Sequence, residues 1–196
     1  MRDEANLHPD PAMRTFPRGR RRNGEYCRDT AGPSLMSRAE HNLICTALGS
    51  KCHTVLEIGT WCGATAATLA DSRPGVQLIS IDPFVSELHQ MLWIANAYLR
   101  PNMLLWRGTS ASFFRIAGDA TADGAIVDGD HSEESGFRDL LGCGRVVCLD
   151  GFIAVHDYDP GSMPSVARAV HRFCEQTAWK IVDQAETLVV LREKLP

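Results

Sequence analysis

Short runs of apolar residues alternate along this chain with longer stretches in which apolar positions recur every three or four residues. The runs at residues 53–58, 76–81, 103–106, 124–127 and 152–155 predict strands. The stretches at 37–48, 63–71, about 84–99, 109–117, 132–148 and 164–176 predict helices. Punctuation agrees with these periods. Ser72-Arg73-Pro74-Gly75 is a turn, Pro101 ends the long helix after the second strand, and Asp150-Gly151 predicts a turn into the fifth strand. Glu133 and Glu134 fall in a first helical turn, where the helix dipole favours acids, and Pro164 opens another helix. Residues 179–182 and 187–191 read as two strands joined by a tight connection.

Strands alternating with helices and closing on a hairpin predict an α/β fold. Its form is a doubly wound, mostly parallel seven-stranded sheet with an antiparallel edge strand. Ligands of such sheets bind beyond the carboxyl ends of the strands. Glu57, Asp82, Asp128, His156 and Asp157 all fall at those ends.

Composition narrows the picture. With 196 residues, 44% hydrophobic and 22% charged, the chain can build one sizeable core. Residues 34–196 carry it. Residues 1–33, rich in Arg, Pro and Gly and without apolar periodicity, read as a flexible Arg-rich N-terminal segment. The net charge of −4 and pI near 6.0 give no global attraction to nucleic-acid phosphates. The Arg-Gly-Arg-Arg-Arg cluster at 18–22 is either part of a solvated tail or an anion clamp over the site. No apolar run reaches the ~18 residues of a membrane span and no signal peptide is visible, so no membrane partner is expected. Seven scattered cysteines without a C-x-x-C pair suit free thiols in a reducing, cytoplasmic compartment.

The chemistry concentrates in three places. Residues 55–65, Val-Leu-Glu-Ile-Gly-Thr-Trp-Cys-Gly-Ala-Thr, form a strand running into a glycine turn and a helix start, where free backbone N–H groups can meet a ligand. The third glycine of a dinucleotide fingerprint is missing, which favours a nucleoside without a pyrophosphate. Asp82 ends the second strand 25 residues after Glu57, the place from which a carboxylate grips a ribose diol. Asp128-Gly129-Asp130-His131 and His156-Asp157-Tyr158-Asp159 end the fourth and fifth strands. Adjacent strand ends lie about 5 Å apart, so their carboxylates can meet on one ion.

On these residues the chain resembles class I S-adenosylmethionine-dependent methyltransferases. Within them it looks like the small O-methyltransferases related to catechol O-methyltransferase, and like a bacterial small-molecule family with Val-Asp-Gly-Asp-His followed by His-Asp-Tyr. The likeness covers about residues 34–193 and includes Ile-Ser-Ile-Asp at 79–82 and Arg-Gly-Thr-Ser at 107–110. It implies a Rossmann-like methyltransferase fold. It also implies that Gly59, Trp61, Gly63 and Thr65 surround the methionine end of S-adenosylmethionine while Glu57 orders the turn. Asp82 would hold the ribose, Ser110 the adenine edge, and Asp128 would border the cofactor. Plainer roles stand beside these: a helix-terminal hydroxyl for Thr65, a core aromatic for Trp61, an N-cap for Ser110.

The resemblance further implies a divalent metal on Asp128, His156 and Asp157. Position 156 departs from the family's acidic ligand, which leaves Mg, a transition metal or a metal-free site open. His131 stands where the catechol-type enzymes have a lysine base. Imidazole takes up a proton near neutral pH, so His131 and Asp128 are the catalytic candidates, with an N-capping His131 as the alternative. Asp130 orients His131 or is merely solvated. The expected activity is methyl transfer to a hydroxyl oxygen of a small molecule, a secondary metabolite. The acceptor pocket would be walled by the N-terminal segment, by the loop at 158–163, or by a second copy in a homodimer. Two rivals are a nucleotide-dependent oxidoreductase, disfavoured by the missing glycine, and a non-catalytic binding protein on the same fold.

Overall fold

The computed structural model describes residues 36–194; the leading segment, with Cys27 and the Arg cluster at 18–22, lies outside the described residues. The chain order is α1 (Arg38–Leu48), β1 (Thr54–Ile58), α2 (Ala64–Ser72), β2 (Gln77–Asp82), α3 (Glu87–Ala97), β3 (Met103–Arg107), α4 (Ser110–Phe114), β4 (Ala122–Val127), α5 (Glu133–Val146), β5 (Val147–Val155), α6 (Pro164–Gln176), β6 (Trp179–Ala185) and β7 (Leu188–Glu193).

One seven-stranded sheet results, in the order β3-β2-β1-β4-β5-β7-β6. Strands β1 to β5 pair in parallel. The β6–β7 hairpin closes the edge, with β7 antiparallel to both β5 and β6. Parallel pairing requires helical crossovers, and these cover both faces. Alternate residues of a strand therefore enter opposite cores. Leu56, Val127, Ile153 and Val155 pack with α5 and α6, whereas Val55, Ile126, Phe152 and Ala154 pack with α1 and α2.

Two elements depart from the sequence expectation. Residues 147–150 extend β5 instead of ending a helix and turning, because Gly151 forms a bulge within the strand where β4–β5 register shifts between Ala122 and Gly124. A Cβ at Gly151 would lie 2.3 Å from Val147 Cγ1 and 2.7 Å from the Asp123 carbonyl oxygen, so the bulge needs glycine. Helix α4 is five residues long, not nine. The Arg145 guanidinium takes the Phe114 and Ala117 carbonyls that a longer helix would use itself.

The order of strands brings the carboxyl ends of β1, β2, β4 and β5 into one row. Because β7 runs the other way, its first residue, and with it Glu186 and Thr187, joins that row.

Candidate active site

β1 leaves the sheet at Ile58 and turns sharply at Gly59 (φ 80°), Trp61 (φ 47°) and Gly63 (φ 76°) before α2 begins. A left-handed tryptophan is strained, and such strain persists only where the surroundings enforce it. Here Trp61 is held at both ends: its backbone N–H donates to Asp82 Oδ2 (3.0 Å) and its indole Nε1–H donates to His89 Nε2 (2.8 Å). With 37% of its surface exposed, Trp61 is not a core aromatic. Asp82 accepts a second hydrogen bond from the Phe84 N–H (2.7 Å), which leaves carboxylate lone pairs facing the cleft.

Two clefts meet along this row. The larger, about 850 Å³, is lined by Asp82, Ser110, Phe114 and Asp139 among others. Thr109, not Ser110, caps α4. The Ser110 hydroxyl instead donates to Asp139 Oδ1 (2.5 Å), a buried carboxyl that burial holds above the usual range. The smaller cleft, about 420 Å³, is lined by Thr65, His131, Asp157 and the buried pair Glu57 and Glu40. Gly59, Trp61 and Asp128 line both. Gly63 sits where a Cβ would lie 2.5 Å from Trp93 Cδ1, so its αL geometry and the packing below it both require glycine.

Glu57 is fully buried and accepts a hydrogen bond from Ser80 Oγ (2.9 Å). Burial, joined by the charges of Asp128 and Asp82 and opposed by the hydroxyl of Ser80, pushes its carboxyl up to about 7. Thr60 lies close enough to favour the ionised form, yet its buried hydroxyl makes no hydrogen bond of normal geometry. The stability consequence has a definite sign. Between pH 4.5 and about 7 the unfolded chain releases a proton that the fold retains, so stability falls as pH rises through that window. Glu57→Gln should therefore gain on wild type as pH rises from 5 to 8, by up to about 3 kcal/mol, in paired urea denaturations. A constant gap between the two proteins would contradict the assignment.

At the ends of β4 and β5 the three residues expected to hold a metal, Asp128, His156 and Asp157, lie together. His156 is almost fully buried. Its Nδ1 faces Asp128 Oδ1 (3.3 Å) and Asp157 Oδ2 (3.4 Å), and its Nε2 faces Glu40 Oε2 (3.5 Å). Burial opposes charge on this ring, but hydrogen bonds to Asp128, Asp157 and Glu40 outweigh it and hold the imidazole well above the usual histidine range. Both ring nitrogens thus face carboxylates. Asp128 and Asp157 also converge with His131, and the ligand atoms of these three lie within 4.8 Å of one another.

His131 Nε2 pairs with Asp157 Oδ2 at 3.0 Å. Asp157, not Asp130, is thus its partner; Asp130 accepts from the Ser132 N–H, and Ser132 is the N-cap of α5. In a neutral ring this pairing makes Nε2 the donor and Nδ1 the acceptor.

In the loop at 158–163 the Tyr158 hydroxyl meets His171 of α6 (2.7 Å) and the Tyr158 N–H donates to the Thr187 carbonyl (2.7 Å). Among the described residues, Ser37 and Glu40 at the start of α1 and Glu186 and Thr187 of the β6–β7 turn stand on the smaller cleft. Glu40 ties them: Oε2 accepts the Ser37 N–H (2.8 Å), while Oε1 accepts the Thr187 N–H (3.1 Å) and hydroxyl (2.7 Å). The sequence signal was Ser-x-x-Glu, which by itself announces only a capping box.

A parallel sheet with a glycine turn after β1, an acid ending β2 and a cleft across the strand ends is the architecture of class I methyltransferases. A family model described as a methyltransferase domain matches residues 56–158, and the chain belongs to that family. No curated protein sequence matches the chain closely enough to count as a relative. Its fold is similar to that of TomG, an O-methyltransferase of Streptomyces achromogenes involved in tomaymycin synthesis and solved with S-adenosylmethionine (16% identity, 82% of this chain and 81% of that chain, TM-score 0.62). It is also similar to CalS11, a TDP-rhamnose 3'-O-methyltransferase of calicheamicin biosynthesis (14% identity, 78% and 76%, TM-score 0.60). A precorrin-6y C5,15-methyltransferase of Geobacter metallireducens shares the fold too (10% identity, 83% and 90%, TM-score 0.59). Among the described residues no helix is long and apolar enough to cross a membrane. None of the six described cysteines is in a disulfide.

Proposed function

We propose that this protein transfers a methyl group from S-adenosylmethionine to a hydroxyl oxygen of a small molecule, a secondary metabolite, in the cytoplasm. The observation that carries the reading is Asp82, tied by two backbone N–H groups at the end of β2 and facing the larger cleft. A ribose diol can donate to its remaining lone pairs. The fit is supported by Gly59, whose missing side chain opens the turn, and by the buried, unpartnered Thr60 hydroxyl beside the smaller cleft.

Bound there, S-adenosylmethionine supplies an electrophilic methyl carbon on a sulfonium. Ser110 and Asp139 border the adenine end; Trp61, Gly63 and Thr65 border the methionine end, where the first N–H groups of α2 favour its carboxylate. Glu57 orders the turn from beneath. Trp61 and Asp128, shared by both clefts, align acceptor and cofactor for in-line displacement. His131, oriented by Asp157, takes the hydroxyl proton as the new O–C bond forms. A second reading uses Asp128, His131 and Asp157 to hold a divalent ion, which would lower the hydroxyl pKa in place of the base. A mixed imidazole and carboxylate set suits Mn, Fe, Ni or Zn better than Mg.

Calorimetry tests the reading. Wild type should bind S-adenosylmethionine saturably and NADH not at all, and Asp82→Ala should weaken cofactor binding by roughly 100-fold, the worth of two hydrogen bonds to a charged group. Absence of saturable binding by wild type would remove the proposal.

A further inference from the structure

We infer that two copies of this chain associate through the outer face of α3. Two buried residues hold the inner side of that helix. Trp93 packs against Gly63, and the Asn96 amide donates to the Cys62 carbonyl (2.8 Å). Along the outer side Leu88, Met91, Ile94 and Tyr98 recur at steps of three and four residues, with Val85 before them and Leu99 after, each more than half exposed. A helix with apolar residues on its outer as well as its inner side belongs in an interior.

The size of the face points to a protein partner. At ~150–200 Å² for a fully exposed residue of this bulk, the six amount to roughly 700 Å². The largest apolar patch on a monomer is usually about 300–600 Å², whereas each partner in a standard interface contributes about 800 Å². Crossing from β2 to the edge strand β3, α3 lies at the border of the fold, open to a neighbour. The face also runs up to the larger cleft, which Val85 and His89 line.

Charge and pattern select a second copy. Helices that lie on membranes join an apolar face to lysines and arginines. Helix α3 has neither, and Arg100 just beyond it is taken by Asp71 (2.7 Å). Residues 1–33 lack the apolar periodicity that would interlock with a helical stripe. Another α3 supplies that periodicity exactly once per copy. Set antiparallel about a two-fold axis at Ile94, each Ile94 meets its counterpart, Met91 meets Tyr98, and Leu88 meets Leu99. Glu87, the one charged residue of the helix, then falls at the end of the face, where an interface rim stays wet.

Sedimentation velocity of the full chain at micromolar concentration should show a species of twice 21.6 kDa. Ile94→Glu sets like charges on each other at the axis and should weaken association at least about 100-fold. Ile94→Lys should do the same, and an equimolar mixture of the two variants should recover the dimer. Both should keep the wild-type circular dichroism, because Ile94 is half exposed. If either fails to fold, amide exchange in the wild type decides: α3 amides should slow as protein concentration rises. A monomeric wild type, a dimer indifferent to Ile94→Glu, variants that stay apart when mixed, or α3 exchange blind to concentration would each overturn the inference. So would a monomer that floats with phosphatidylcholine vesicles and loses that binding in Ile94→Glu. No cofactor enters the test, so its failure leaves the methyltransferase reading standing.

Discussion

Replacing Gly59 by alanine is expected to remove cofactor binding and to lower stability by roughly 3 kcal/mol or more, among the largest effects of any single change in this chain. Two costs coincide. The residue has φ 80°, where an L side chain is strained, and its added Cβ would lie 2.2 Å from the Asp128 carbonyl oxygen and 2.5 Å from Gly129 Cα. Neither strand end can retreat, because Gly59 N–H is bonded to the Ile81 carbonyl (3.0 Å) and Asp128 N–H to the Ile58 carbonyl (2.9 Å). The clash is therefore backbone against backbone at the point where both clefts meet. Gly63→Ala should be milder, since its Cβ meets the Trp93 ring rather than main chain. Urea denaturation and calorimetry with S-adenosylhomocysteine measure both consequences. A Gly59→Ala protein of wild-type stability would show that the turn is not as closely packed as described.

The same turn explains what the sequence made legible. Its glycines, the acid at 57 and the acid at 82 lie close together in sequence, and the strand and helix periods around them are strong. Local reading therefore recovered the sheet, its alternating helices and the row of strand ends. Less was visible wherever one side chain serves two distant elements. Glu40 is a capping-box residue in sequence, yet in space it holds His156 and the Thr187 backbone from 147 positions away. That enclosure, which sets a carboxylate of α1 against the ring of His156, has no local signal in the sequence. Asp139 was likewise hidden: it sits on a helix face whose period predicts only packing, and becomes a site residue because α4 brings Ser110 against it. The bulge at Gly151 escaped because a glycine next to an aspartate reads equally well as a turn.

His131→Ala is expected to lower turnover by about 100-fold to 10,000-fold while leaving S-adenosylmethionine affinity near wild type, the range general-base removal normally spans. The geometry sets this expectation. His131 lines the smaller cleft on the loop before α5, half exposed, with Asp157 fixing Nε2 at 3.0 Å. Nδ1 is thereby presented as the acceptor of a proton. Asp157→Asn should reproduce part of the loss, since an amide can also donate to the ring and favour the wrong tautomer. The alternative role, one ligand among Asp128, His131 and Asp157, predicts a different pattern. Treatment with EDTA would then abolish wild-type turnover and a transition metal would restore it, whereas a base needs no ion. Wild-type activity that survives EDTA together with a His131→Ala enzyme that does not turn over assigns the proton to His131. A His131→Ala enzyme with undiminished turnover would leave Asp128 or solvent as the base, and the alignment supplied by Trp61 and the glycine turn as the source of rate.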